Sequence, residues 1–161
     1  MIYSFLQNGD SAVTVQFQNE ISKEVNSQVT ALCDRLEAKR IDGVIELVPT
    51  FASLTVFYDC SVISSKKLKK KIEALIRDGE SHVKGTARVW NIPVCYDDEF
   101  ALDMETVCSH TKLTREEVIA LHTSKPYLIY MLGFLPGFAY LGGMDERLFT
   151  PRLKTPRLEI F

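Results

Sequence analysis

His122, Arg152 and Arg157 are the side chains of this 161-residue sequence whose types and placing best suit chemistry. An imidazole, with an ordinary pKa near neutrality, can take up or give up a proton. His122 closes a run of helical pattern just before an apolar segment, so it stands as a candidate catalytic acid or base. The same placing suits a histidine that only complements the negative end of a helix. Both readings stand. Arg152 and Arg157 end two Thr-Pro-Arg triplets, and a guanidinium is a planar fork matched to a carboxylate or phosphate. In extended chain residues five apart face opposite ways. One arginine at most then lines a shared pocket, unless a turn at Lys154 reverses the chain, and surface ion pairing is the alternative for each. Tyr127, Tyr130 and Tyr140 offer hydroxyls to a bound amide or carboxylate, or rings to a core. His82 and His110 lie in polar surroundings, and Asp10 beside Gly9 suits a turn.

Between the histidine and the arginines lies an unusually aromatic, glycine-rich segment. Gly133, Phe134, Pro136, Gly137, Phe138, Tyr140, Gly142 and Gly143 fall within eleven residues. Leu135-Pro136-Gly137-Phe138 fits a type II turn: proline presets the second position and glycine takes positive φ at the third. Gly142-Gly143 marks a second sharp bend. Such a segment either packs a domain edge or binds a ligand rich in oxygen. It is neither a phosphate loop ending in Gly-Lys-Ser/Thr nor a Gly-x-Gly-x-x-Gly dinucleotide turn.

The elements that must position these residues follow from periodicity. Val13, Val15 and Phe17 alternate with polar residues as a half-buried strand does. Asn19 is a candidate cap for a helix with Ile21, Val25, Val29, Leu32, Cys33 and Leu36 on one stripe, and Gly43 a candidate terminator. Strands are expected at 44–48 and 54–58. A second helix, capped by Ser64 or Ser65 and ended by Gly79, turns Leu68, Ile72, Leu75 and Ile76 inward. A last strand is expected from Ala87 to Tyr96, with Pro93 at an edge or bulge. Residues 1–96 thus read as an α+β domain of ferredoxin-like, split βαβ plan with an extra leading strand. Asp97-Asp98-Glu99 marks the boundary with a second region, 97–161. There, helices are expected from Met104 to Ser109 and from Thr114 to His122, the second opened by a Thr114-x-x-Glu117 capping box. Residues 127–132 read as a buried strand.

Apolar residues at 46% and charged ones at 25% suit a folded globular chain, and a net charge of −2 gives no reason to expect nucleic acid. The cluster Lys66, Lys67, Lys69, Lys70 and Lys71 reads as a solvated helix face, with docking of an acidic partner as the alternative. The cysteines at 33, 60, 95 and 108 form no zinc-type spacing, so no metal site is expected and reduced, packed thiols are. Residues 126–144 are free of charge, close to the ~20 residues of a membrane helix. Four glycines and two prolines in that run argue for strand and turns instead. With no signal-peptide pattern, a cytoplasmic protein without a membrane segment is expected.

The string Tyr127-x-x-Tyr130-Met131-Leu132-Gly133-Phe134-x-Pro136-Gly137-Phe138-x-Tyr140-Leu141-Gly142-Gly143 resembles the family of the 5-oxoprolinase B subunit. That family includes the sporulation-kinase inhibitor KipI and proteins described as allophanate hydrolase subunit 1. Gly9-Asp10-Ser11-Ala12, Val48-Pro49-Thr50-Phe51-Ala52-Ser53-Leu54 with Tyr58-Asp59, Ile92-Pro93-Val94-Cys95-Tyr96, and Glu116-Glu117-Val118 through His122 carry the resemblance along the chain. It implies that the second region opens a cyclophilin-like β-barrel. Family members continue past Thr155-Pro156-Arg157 into motifs not found before Phe161, so the chain resembles a member lacking its last third. The incomplete barrel is expected to rely on self-association or on the first domain, or else to be poorly ordered. The resemblance further implies a subunit that, with other 5-oxoprolinase subunits and ATP, hydrolyses 5-oxoproline to glutamate. A KipI-like inhibitor binding a histidine kinase, or an allophanate hydrolase subunit 1, are the alternatives. The sequence presents no complete catalytic set, so the chain is not expected to be an enzyme by itself.

Overall fold

The structure, a computed structural model, describes residues 2–78 and 88–157. The chain divides into two compact units, Met1–Thr86 with Ile129–Leu141, and Ala87–Leu128 with Gly142–Phe161.

The first unit is built on β1 (Tyr3–Asn8), β2 (Ala12–Phe17), α1 (Lys23–Lys39), β3 (Val44–Pro49), β4 (Ser53–Tyr58) and α2 (Ser65–Arg77). The strands form one sheet in the order β1-β2-β4-β3, every neighbour antiparallel. Gly9, at φ 60°, turns β1 into β2 so that Asn8 pairs with Ala12. β4 lies between β2 and β3, which are joined through α1. The alternation seen in the sequence now has a cause. Val13, Val15 and Phe17 of β2 and Leu54, Val56 and Tyr58 of β4 share a core with Val25, Val29, Leu32 and Leu36 of α1 and Leu68, Ile72 and Ile76 of α2. Each such fully buried aliphatic side chain contributes about 1.5–3 kcal/mol relative to exposure.

The expected α+β class is observed, with differences in detail. α1 starts at Ser22, whose hydroxyl accepts from the Val25 amide, and not at Asn19; Ile21 is exposed and lies outside the stripe. The helix ends at Arg40 in the left-handed region. Gly43 has another role: at φ 86°, a Cβ there would stand 2.8 Å from Ile63 Cγ2, so both conformation and space demand glycine. Ser64 caps α2 as expected. Gly79 and His82 lie outside the described residues. Lys66, Lys67, Lys70 and Lys71 are exposed and Lys69 is half-buried, as a solvated helix face allows.

Residues 88–96 form no strand: Val89, Trp90, Ile92 and Val94 are exposed, and Pro93 cannot donate to a ladder. The second unit instead holds α3 (Met104–Thr111), α4 (Arg115–Thr123) and a single 3-10 turn (Glu146–Leu148), which pack on one another. Its capping box is complete: Thr114 Oγ1 accepts from the Glu117 amide and Glu117 Oε2 accepts from the Thr114 amide. β5 (Leu128–Leu132) and β6 (Ala139–Gly142) form a separate two-stranded sheet. β5 is half-exposed to exposed, not buried, because the ribbon has no further strand beside it among the described residues. Of the cysteines, Cys33 is buried and its thiol is pushed up to about 11, by burial first and then by Glu37 and Asp34. Cys60 and Cys95 are exposed rather than packed, since neither belongs to a regular element.

Candidate functional site

The aromatic-glycine segment folds as the loop joining β5 to β6. The Phe138 amide donates to Leu135 O at 3.0 Å and Gly137 takes φ 82°, the closure and conformation of the expected turn at Pro136-Gly137. The Gly133 amide donates to Phe138 O at 3.1 Å, and the Leu135 amide donates back to Gly133 O at 2.8 Å. That bond closes a γ-turn of the rarer kind, with Phe134 at φ 65°, a region L-residues with bulky side chains rarely occupy. Phe134 is 82% exposed, and Phe138 is 47% exposed. Gly143, at φ 98°, makes the second expected bend.

From that tip a file of rings runs inward. Phe134 meets Phe138 at 5.7 Å between centroids, Phe138 meets Tyr140 at 5.3 Å, Tyr140 meets Phe51 edge-on at 6.0 Å, and Phe51 meets Tyr130 at 5.2 Å. Offset and edge-on pairs at these separations each add about 0.5–1.5 kcal/mol beyond area burial. Phe51 sits in the turn between β3 and β4, where the Asn26 amide nitrogen donates to the carbonyls of Thr50, Phe51 and Tyr130. A buried amide on α1 thus ties the ribbon to the sheet of the first unit.

His122 belongs to the second unit and has its own surroundings. Its Nδ1 lies 2.5 Å from the Tyr96 hydroxyl, and the Tyr127 hydroxyl donates to its backbone carbonyl at 2.8 Å. The Tyr96 ring meets the imidazole edge-on, and the Tyr127 ring lies tilted against it at 5.6 Å. Arg115 anchors Tyr96 by donating to its backbone carbonyl, while its other nitrogen pairs with Asp98 at 2.5 Å. That carboxylate in turn holds the Arg115 guanidinium above its ordinary value. Burial, with Tyr96 and Asp145 adding to it, raises the Tyr127 phenol, so it stays protonated and donating.

The two arginines differ. Arg157 gives both fork nitrogens to Asp103, at 2.6 and 2.5 Å, and this bonding holds the Asp103 carboxyl below the usual range. Arg152 is exposed and has no ion-pair partner among the described residues. Asp145 is bonded likewise by Arg147 through two guanidinium nitrogens and the backbone amide.

The structure therefore brings Tyr130, Gly133, Phe134, Pro136, Gly137, Phe138 and Tyr140 together in the first unit. His122, Gly142, Gly143, Arg152 and Arg157 fall in the second. Sequence reasoning overlooked Asn26, Tyr96, Asp103 and Arg115 as site-forming residues. Asn26 carried a signal, a lone amide beside Val25 and Val29 on a buried helical stripe. Asp103 and Arg115 carried none, because their partners are distant in sequence.

Residues 3–161 match the family described as carboxyltransferase domain, subdomain C and D. The chain is 40% identical over 168 aligned positions to the 5-oxoprolinase B subunit of Bacillus subtilis, covering 98% of this chain and 70% of that one. It is 35% identical to the protein of the same name from Haemophilus influenzae, covering 92% and 68%. Among solved structures it resembles that of TTHA0988, with a TM-score of 0.77 at 32% identity. The match covers 91% of this chain and spans 28% of that protein's length.

Proposed function

This chain belongs to the carboxyltransferase subdomain C and D family that includes the 5-oxoprolinase B subunit, and from that membership we propose that it works as a subunit of an ATP-dependent 5-oxoprolinase. The complex opens the lactam of 5-oxoproline: water adds to the carbonyl carbon, the ring C–N bond breaks, and the nitrogen takes a proton to give glutamate. The observation that carries this reading is 40% identity sustained over nearly the whole chain. The geometry adds roles. The exposed rings of Phe134 and Phe138 are anchors for another subunit, since rings concentrate binding energy at interfaces. Arg152 is a better receptor for the substrate carboxylate than Arg157, whose fork is already filled by Asp103. His122, held by Tyr96, faces the amide.

ATP would supply the driving force for cleaving a stable amide. This chain offers no phosphate loop: no glycine-rich turn ending in Lys-Ser/Thr precedes α1, α2, α3 or α4. The nucleotide is assigned to the partner subunits. Among the described residues no helix is long and apolar enough to cross a membrane, and we place the complex in the cytoplasm, where ATP is at hand. The insertion of β4 between β2 and β3 supports a ferredoxin-like plan for residues 1–96. By family likeness, residues 97–161 open a cyclophilin-like barrel.

The test is 5-oxoproline turnover by the full-length protein with its partner subunits, and again with this subunit left out. Turnover that needs the subunit is expected; unchanged turnover on omission contradicts the assignment. The bare rings at the ribbon tip also favour a second reading, a KipI-like inhibitor that binds a sporulation histidine kinase without chemistry. That reading requires inhibition of kinase autophosphorylation at low micromolar protein, lost in Phe134→Ala.

A further inference from the structure

We propose that the Tyr96 hydroxyl fixes His122 as its Nε2–H tautomer, so that the imidazole meets the lactam carbonyl as a neutral hydrogen-bond donor and not as a base. A phenol carries its proton at neutral pH and has one to donate. The contact with His122 Nδ1 at 2.5 Å is the hydrogen bond of that hydroxyl among the described residues. Were Nδ1 the protonated nitrogen, the phenol oxygen would accept from it and the phenol proton would be left to solvent; with Nδ1 accepting, that proton has a protein partner. A neutral imidazole has a single N–H, and accepting at Nδ1 places it at Nε2.

The surroundings hold the two side chains in place. Arg115, paired with Asp98, grips the Tyr96 backbone carbonyl. Tyr127 bonds the His122 carbonyl and sets its ring, tilted, against the imidazole, opposing rotation. The Nε2 nitrogen makes no protein hydrogen bond among the described residues, and the half-buried side chain leaves it reachable. A carbonyl oxygen gains negative charge as water adds to its carbon. A fixed N–H aimed at that oxygen stabilises the change without having to reorganise, an effect of about 100- to 1000-fold in other acyl transfers. Tyr96 is then a positioning residue acting through His122. The choice of lactam as substrate rests on the function proposed above, whereas the tautomer does not.

Nitrogen NMR of the full chain labelled on histidine, at mildly alkaline pH, reads the tautomer directly, with His122 assigned by the signals lost in His122→Gln. The expected result is an unprotonated Nδ1 and a protonated Nε2, with both signals moving toward an exchanging mixture in Tyr96→Phe. In the reconstituted complex Tyr96→Phe should lower kcat about fivefold, the worth of one hydrogen bond, with KM held. A protonated Nδ1 in the unaltered chain, or His122 signals indifferent to Tyr96→Phe, overturns the proposal. Absence of 5-oxoproline turnover in the unaltered complex overturns the lactam assignment, while the nitrogen signals still decide the tautomer.

Discussion

Met1–Thr86 with Ile129–Leu141 buries a continuous apolar core drawn from β2, β4, α1 and α2. Ala87–Leu128 with Gly142–Phe161, among its described residues, buries only two apolar side chains, Val118 and Leu148. It is fastened instead by polar contacts: the Thr114–Glu117 capping box, the bonds of Arg115 to Tyr96 and Asp98, the Arg157–Asp103 fork and the Asp145–Arg147 pair. Apolar burial is not screened by salt, whereas exposed ion pairs contribute little each and weaken with ionic strength and acid. The first unit is thus a frame built on its own core, and the second, which contains the histidine centre, is fastened within itself mainly by polar contacts. Residues that do chemistry are commonly drawn from the less stable parts of a fold, which can adjust to a partner.

Truncation of core residues should separate the units most widely. Leu68→Ala, at a fully buried position of α2, should cost about 2–5 kcal/mol in denaturant unfolding of the first unit. Leu148→Ala, in the sparsely packed second unit, should fall at or below the lower end of that range. Equal losses would erase the contrast. A smaller effect is expected at the tie between ribbon and sheet. Asn26→Ala leaves three carbonyls without their donor, at a cost of about 1–3 kcal/mol. Amide exchange should then quicken in residues 129–141 before it does in β2 and β4. Uniform quickening would mean that Asn26 does not hold the ribbon specifically.

Acid should act on the second unit with the smallest effect. Arg157 depresses the folded carboxyl of Asp103, so the pair's contribution is complete above about pH 4 and disappears as the pH falls through the lower, folded value. Asp145 behaves in the same direction through its bonds to Arg147. Signals from α3 and the 3-10 turn should therefore weaken on acidification before those of the core strands. Arg157→Gln should weaken α3 already at neutral pH and flatten its acid response, and an unaltered acid titration would show the pair to be idle.

The frame was legible in the sequence because its forces are periodic. Every-second and every-third-or-fourth apolar residues announced β2, β4, α1 and α2, and Leu135-Pro136-Gly137-Phe138 announced its turn by chemistry local to four residues. The strand expected at 87–96 misled because Val89, Ile92 and Val94 carry strand-forming side chains that here have no sheet to join. Polar fastenings leave no such trace. Asp103 and Arg157 are 54 residues apart, and Tyr96 and His122 are 26 apart. Neither spacing is a motif, so His122 could be singled out but its partner could not.

The placing of chemistry at the histidine centre is tested most directly by kcat for 5-oxoproline in the reconstituted full-length complex carrying His122→Ala, which removes the N–H donor. With the altered subunit at saturation and its association with the partner subunits verified, kcat should fall about 100-fold. A kcat equal to that of the unaltered complex would contradict the placing of chemistry at the histidine centre.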